Sequence, residues 1–184
     1  MIGKILIFFF LLSFNSLNAE IKDQIILNLK NTNNLTFDFK QQIDEKIESG
    51  YCIIKYPKKI YCSYNTLNNK KIVSNGKSLV IKNDNINQYY LYPLNRTPLE
   101  FILNKEYLIQ KIINSKSKSL NNRYLGFTIE NESHEINIFF DKKTSYLTGW
   151  QTEDIYQNLV ITFISNIKIN QKISNNIFQL PSKK

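Results

Sequence analysis

Cys52, Cys62 and His134 are the only cysteines and the only histidine in this chain, and they narrow the chemistry open to it. His134 sits in Asn131-Glu132-Ser133-His134-Glu135, which reads as a turn between two strands. A Ser/His/acid triad or a histidine-based metal site needs convergent partners, and a lone turn histidine offers few. The acidic residues are scattered, with no close pair inside an apolar segment as a glycosidase dyad requires. The five glycines form no phosphate-binding loop. The sequence therefore predicts neither an enzyme nor a cofactor or metal protein.

The cysteines support a different reading. Pro57-Lys58-Lys59 reads as a turn between two β-rich runs, and centring a hairpin on Pro57 sets Cys52 opposite Cys62. Both side chains then share a face with Cα atoms about 4.5–5.5 Å apart, a separation a disulfide spans. Two small buried thiols are the alternative. The spacing lacks the C-x-x-C of a thioredoxin-like redox pair.

The elements that would position these residues come in two textures. Residues Ile21 to Asn31 read as an amphipathic helix with Ile21, Ile25, Ile26 and Leu29 on one face. From Leu35 the period becomes two, with Leu35, Phe37 and Phe39 on one side and Thr36, Asp38 and Lys40 on the other. Further strands are predicted at 51–56, 59–65, 70–75, 78–83 and 87–92, joined by tight turns that include Asn75-Gly76-Lys77. Thr97-Pro98 then reads as a cap with proline at the first helical position. Leu99, Phe101, Ile102 and Leu103 crowd a short helix, continued by Tyr107 to Ile113. Residues 114–122 read as a long loop, and strands return at 123–130, 134–141, 146–154 and 158–166, with Phe178 closing the end. Nine or ten antiparallel strands should curl strongly. A helical cover over the curl leaves a cavity, and a filled β-sandwich of the same strands is the alternative.

The order of these signals resembles the periplasmic outer-membrane lipoprotein carriers of the LolA type. A glycine (Gly50) opens a strand, and a basic-aromatic-proline turn and an aromatic strand come next. Then comes Ile72-Val73-Ser74-Asn75-Gly76-Lys77-Ser78-Leu79, the most specific piece, and a strand ending at Pro93-Leu94. The likeness continues through Thr97-Pro98-Leu99 and Leu147 to Asp154, and fades near Phe178-Gln179-Leu180-Pro181.

The resemblance implies a mainly β (α+β) fold, a curved antiparallel sheet forming an unclosed β-barrel with a short α-helical lid. It implies a carrier of triacylated lipoproteins, received from an inner-membrane ABC transporter and passed to an outer-membrane acceptor, with the carrier acting as a monomer. A lipoprotein-sensing or other hydrophobic-ligand-binding domain of the same fold is the alternative. Phe37, Phe39, Ile60, Cys52, Cys62, Leu79, Ile81 and Trp150 would line the acyl cavity. Pro98, Leu99, Phe101, Ile102 and Leu103 would form the lid. The family commonly has an arginine before the turn proline, where it latches the lid; here that position is Tyr56, one hydroxyl in place of a five-donor fork.

The ends and the charge fit export. Lys4, the apolar run Ile5 to Leu12 and a small residue at Ala19 read as a signal peptide over residues 1–19, too short to span about 30 Å of hydrocarbon. Residues 20–184 are then one soluble periplasmic domain. The net charge of +9 is dispersed, with no run of five like charges and no stacking groove, so nucleic acid is not an expected partner.

Overall fold

The computed structural model describes residues 18–131, 134–153 and 157–183. All but the last two residues of the segment read as an export signal lie outside this range. Residues 18–31 form helix α1, whose Ile25 and Leu29 are buried while Ile21 and Ile26 pack at the core's margin.

Six strands come next: β1 (Asn34–Ile43), β2 (Lys46–Lys55), β3 (Lys59–Tyr64), β4 (Lys70–Asn75), β5 (Ser78–Asn83) and β6 (Gln88–Pro93). Helices α2 (Leu99–Leu103) and α3 (Lys105–Asn114) interrupt the sheet. Strands β7 (Lys118–Leu120), β8 (Tyr124–Glu130), β9 (Glu135–Asp141), β10 (Leu147–Glu153) and β11 (Leu159–Ile169) complete it. The segment read as a long loop thus holds a three-residue strand, too short and too polar to show a period.

All eleven strands lie in one antiparallel sheet of order β6-β5-β4-β3-β2-β1-β11-β10-β9-β8-β7. Pairing of β1 with β11 makes the meander continuous, and the end strands β6 and β7 do not pair with each other, so the barrel is not closed. One core fills its concave side, where Phe37, Ile54, Phe127 and Phe140 meet Ile25 of α1, Phe101 to Leu103 of α2 and Leu108 and Ile112 of α3. This is the open barrel with a helical cover, not a sandwich of two sheets.

Simple alternation puts Leu147 and Trp150 on opposite faces. A register shift between Leu147 and Gly149 sets Leu147 opposite Phe140 and Trp150 opposite Ile138, so both point into the core. An extra residue in one strand re-aims the side chains beyond it. Gly149 is needed there because a Cβ would stand 2.3 Å from the Thr162 carbonyl oxygen.

On the convex face the chain after β11 returns across β3 and β4. Phe178 is buried there, as are the convex-facing Val73 and Val80, and the Lys82 ammonium donates to the Ser182 carbonyl at 3.2 Å.

Candidate functional site

The concave face is organised in rows that run across the strands. The register aligns Phe37 with Cys52, Cys52 with Cys62, Cys62 with Ile72, Ile72 with Ile81, and Ile81 with Tyr90. Exposure rises along this row, from Phe37 at 1% and the cysteines at 4% each, through half-buried Ile72 and Ile81, to Tyr90 at 44% on the free edge strand. The neighbouring row, Leu35, Ile54, Ile60, Ser74 and Leu79, is buried throughout. An apolar track therefore leads from beneath the helices to the open side of the barrel.

Cys52 and Cys62 are joined by a disulfide, with Cα atoms 4.1 Å apart, closer than the spacing expected of the hairpin. Phe37 lies edge-on to Trp150 at 6.4 Å, which ties the two halves of the sheet. The Phe39 ring covers Gly50, where a Cβ would stand 2.8 Å from it, and meets Tyr64 at 4.7 Å. All eight residues expected to line a cavity are thus on the concave face. Beneath the cover a void of about 20 Å³ lies between α1 and the sheet at Leu29, Leu35, Tyr56 and Phe140. The buried side chains of α2 and α3 pack into this face. The open cleft between α1 and the turns before β8 and after β9 is lined mainly by polar residues such as Gln24, Arg123 and Lys142.

The cover is held by contacts at several points. Lys22 at the start of α1 donates to the Ile113 and Ser115 carbonyls at the end of α3, at 2.8 and 3.0 Å. Lys105 at the start of α3 donates to the Lys30 and Thr32 carbonyls at the end of α1. The two helices therefore lie antiparallel, each C-terminus met by a cation from its neighbour, where the helix dipole favours positive charge. In α2, Phe101, Ile102 and Leu103 are buried and Leu99 half-buried. Pro98 stands one position before the first helical residue, not at it, and the Thr97 hydroxyl donates to the Leu94 carbonyl.

The turn after β2 meets α2 two residues past Tyr56. Tyr56 makes no lid hydrogen bond through its side chain: its hydroxyl oxygen is buried without a partner, and burial, with a smaller contribution from Glu106, pushes the phenol pKa up. Lys58 makes the contact. Its backbone N–H donates to the Leu103 carbonyl at 2.8 Å and its ammonium pairs with Glu100 at 2.7 Å. Lys58 has φ of 65°, after a cis Tyr56–Pro57 bond. The Ser74 hydroxyl donates to the Lys58 carbonyl at 3.0 Å and accepts from Gly76 N–H. Gly76, at φ 102°, adopts a backbone that suits glycine, and a Cβ there would lie 3.8 Å from Lys58 Cβ. The most specific motif of the sequence is thus the seat of the latch turn.

At the opposite end of β2 the concave face turns polar. Buried Glu48 pairs with Lys46 and Lys70, each at 2.6 Å, and Lys70 lies over the Tyr64 ring. Gln41 donates to the Thr162 hydroxyl at 3.0 Å and accepts from the Tyr64 hydroxyl. Burial alone would raise the Glu48 pKa; the two ammonium groups outweigh it and hold the carboxyl below its ordinary value. A depressed folded pKa contributes stability above the ordinary carboxylate range and loses it as pH falls through the folded value. Wild-type protein should therefore exceed Glu48→Gln in unfolding free energy at pH 7, by about 1–2 kcal/mol, since the lysines left behind reach solvent. The gap should shrink steadily below about pH 4.5. Urea denaturation of both proteins at several pH values checks this.

The His134 Nε2 lies 3.1 Å from the Arg96 carbonyl oxygen, joining the β8–β9 turn to the chain leading into α2. Among the described residues, no three His, Cys, Asp or Glu side chains come together as a metal site, and no helix is long and apolar enough to cross a membrane.

What the site defines is a binding domain: an apolar interior under a latched helical cover. The sequence profile of the outer membrane lipoprotein carrier protein LolA matches residues 30–181, and the chain belongs to that family. Comparison with curated protein sequences gives no significant match. Among solved structures, an uncharacterized conserved protein from Thermus thermophilus shares the fold at a TM-score of 0.52 and 10% identity, over 89% of this chain and 94% of that one. A LolA superfamily protein from Nitrosomonas europaea aligns at a TM-score of 0.48 and 7% identity, over 88% and 97%. The Pseudomonas aeruginosa MucA/MucB complex aligns at 0.47 and 7%, over 88% of this chain and 61% of that one.

Proposed function

We propose that the chain is a periplasmic carrier that holds the acyl chains of triacylated lipoproteins against its concave sheet. It takes them from an inner-membrane ABC transporter and yields them to an outer-membrane acceptor. One observation carries this reading within the family: the apolar row that passes from the core to the open edge beside the helical cover. Each methylene withdrawn from water is worth about 0.8 kcal/mol, so free acyl chains do not cross an aqueous space unshielded. A carrier must also release them. An interior that is closed when empty, and opens by lifting α2 and α3, exposes little apolar surface between loads.

No catalytic group is required, and Phe37, Phe39, Ile60, Leu79, Ile81 and Trp150 act as wall. The test is uptake of a tripalmitoylated lipopeptide, followed by native mass spectrometry, and release of lipoproteins from spheroplasts. One bound lipopeptide per chain and release into the medium are expected. A protein that does neither is not a carrier.

A further inference from the structure

Tyr56 carries a polar group that the cover does not use. Side chains alternate along a strand, and on β2 the buried, concave positions are Glu48, Gly50, Cys52 and Ile54. Tyr56 is the next position of that column, one residue past the strand end, and its ring packs against the core. The column is polar at both ends, and the ends differ. Glu48 is paired with two lysines, and the nearby Tyr64 hydroxyl donates to Gln41. At the other end the Tyr56 hydroxyl oxygen is buried with no hydrogen-bond partner among the described residues. Buried polar groups are nearly always paired, so one left open marks a place for something else.

The surroundings of that hydroxyl decide what fits. Tyr56 borders the void of about 20 Å³ under α1, room for one oxygen-sized group and not for a chain. Leu29, Leu35, Phe140 and Leu147 are its apolar neighbours there, so a charged group is disfavoured. The polar neighbours are already engaged. Asn28 donates to the Thr144 and Ser145 carbonyls and accepts from Gln24, and the Thr32 hydroxyl donates to the Asn28 carbonyl. Lys105 lies 5.4 Å from the Tyr56 ring and directs its ammonium to the Lys30 and Thr32 carbonyls. Burial, with Glu106 adding to it, raises the phenol pKa, so the group stays a protonated donor. A lone donor in an apolar recess is matched by a small neutral acceptor.

We infer that Tyr56 binds a carbonyl oxygen at the head of an acyl chain, with the chain running down the concave column past Ile54 and Cys52. The inference rests on the carrier reading and adds a direction to it. Acyl heads lie beside the turn after β2, and tails lie over Ile54 and Cys52, from which the apolar row leads to the open edge. It also gives position 56 and position 58 separate tasks: the Tyr56 hydroxyl serves the ligand, while Lys58 holds α2 through Glu100.

Tyr56→Phe deletes the hydroxyl alone. Two probes read its effect: a tripalmitoylated lipopeptide, with a carbonyl at the head of each chain, and dihexadecyl glycerol, an ether lipid with chains of the same length and no carbonyl. The variant should bind the lipopeptide about three- to tenfold more weakly, the effect of one hydrogen bond, and the ether lipid within about twofold of wild type. In the infrared, isotope-labelled lipopeptide carbonyls should absorb at lower frequency on wild type than on Tyr56→Phe. The empty variant should melt no lower than wild type, since it loses no bond. Equal weakening of both probes, or of neither, overturns the inference. So does an empty variant that melts more than about 3 °C lower, because the hydroxyl is then already bonded to a buried water. If the ether lipid does not bind wild type at all, presence or absence of the infrared shift decides. A wild-type chain that takes up neither probe fails the carrier reading and this inference with it; uptake of the lipopeptide with the variant unchanged fails this inference alone.

Discussion

Replacing both Cys52 and Cys62 by alanine should lower the unfolding free energy by about 3 kcal/mol, the chain-entropy value for so short a loop. The disulfide closes a sequence separation of 10. For a domain of this size the melting temperature should fall by about 6–12 °C. Thermal denaturation of wild type, with and without reductant, and of the double variant gives the number. A fall of less than about 2 °C would show that the hairpin's ladder and the packing of Phe37 and Ile72 already fix the strands. On the carrier reading the bond would also bear on cargo, since it lies in the row between Phe37 and Ile72. A short covalent bridge, buried at both ends, keeps that stretch of wall in register while neighbouring groups part. The alanine variant should therefore lose stability more than it loses lipopeptide affinity.

The fold is largely legible in the sequence because period-two alternation and turn chemistry agree along most of the chain. Leu35, Phe37 and Phe39 face the core, as their spacing requires, and the hairpin about Pro57 sets Cys52 against Cys62. What sequence reasoning misses depends on long-range geometry. The bulge before Trp150 is a local insertion that leaves no mark on an alternating pattern. Strand β7 is held by its pairing with β8, not by its composition. Lys46 and Glu48 share a face of β2, but only the strand order brings Lys70 of β4 to them. A filled interior cannot be told from an empty one, because an apolar wall and an apolar core have the same residues. The latch shows the limit most clearly. Family likeness directs attention to the residue before the proline, yet Lys58 beyond it reaches Glu100. The signal is present in the acid at the first turn of α2 and in Ser74 and Gly76, whose buttressing role no pattern reveals.

On the carrier reading, the Lys58–Glu100 pair gives the clearest test of how the cover would open. Glu100→Lys sets two ammonium groups together where Lys58 and Glu100 now pair at 2.7 Å, and removes the carboxylate that accepts from the Asn104 amide. The pair is partly exposed, so its loss is worth about 1 kcal/mol or less, and reversal of one charge roughly doubles that. The melting temperature should fall by no more than about 8 °C. Opening should respond far more, because the whole cost falls on one local step. A free energy of about 1.4 kcal/mol is tenfold in an equilibrium constant, so dye binding to the empty protein and lipopeptide dissociation should each rise roughly tenfold. The double reversal Lys58→Glu with Glu100→Lys restores opposite charges and should return both to within about twofold of wild type. If stability drops while dye binding stays unchanged, the ion pair is an ordinary surface contact and the cover opens elsewhere. If opening rises and the charge swap restores it, Lys58 and Glu100 hold α2 on the turn seated by Ser74, and this branch of the family latches its lid with a lysine–glutamate pair.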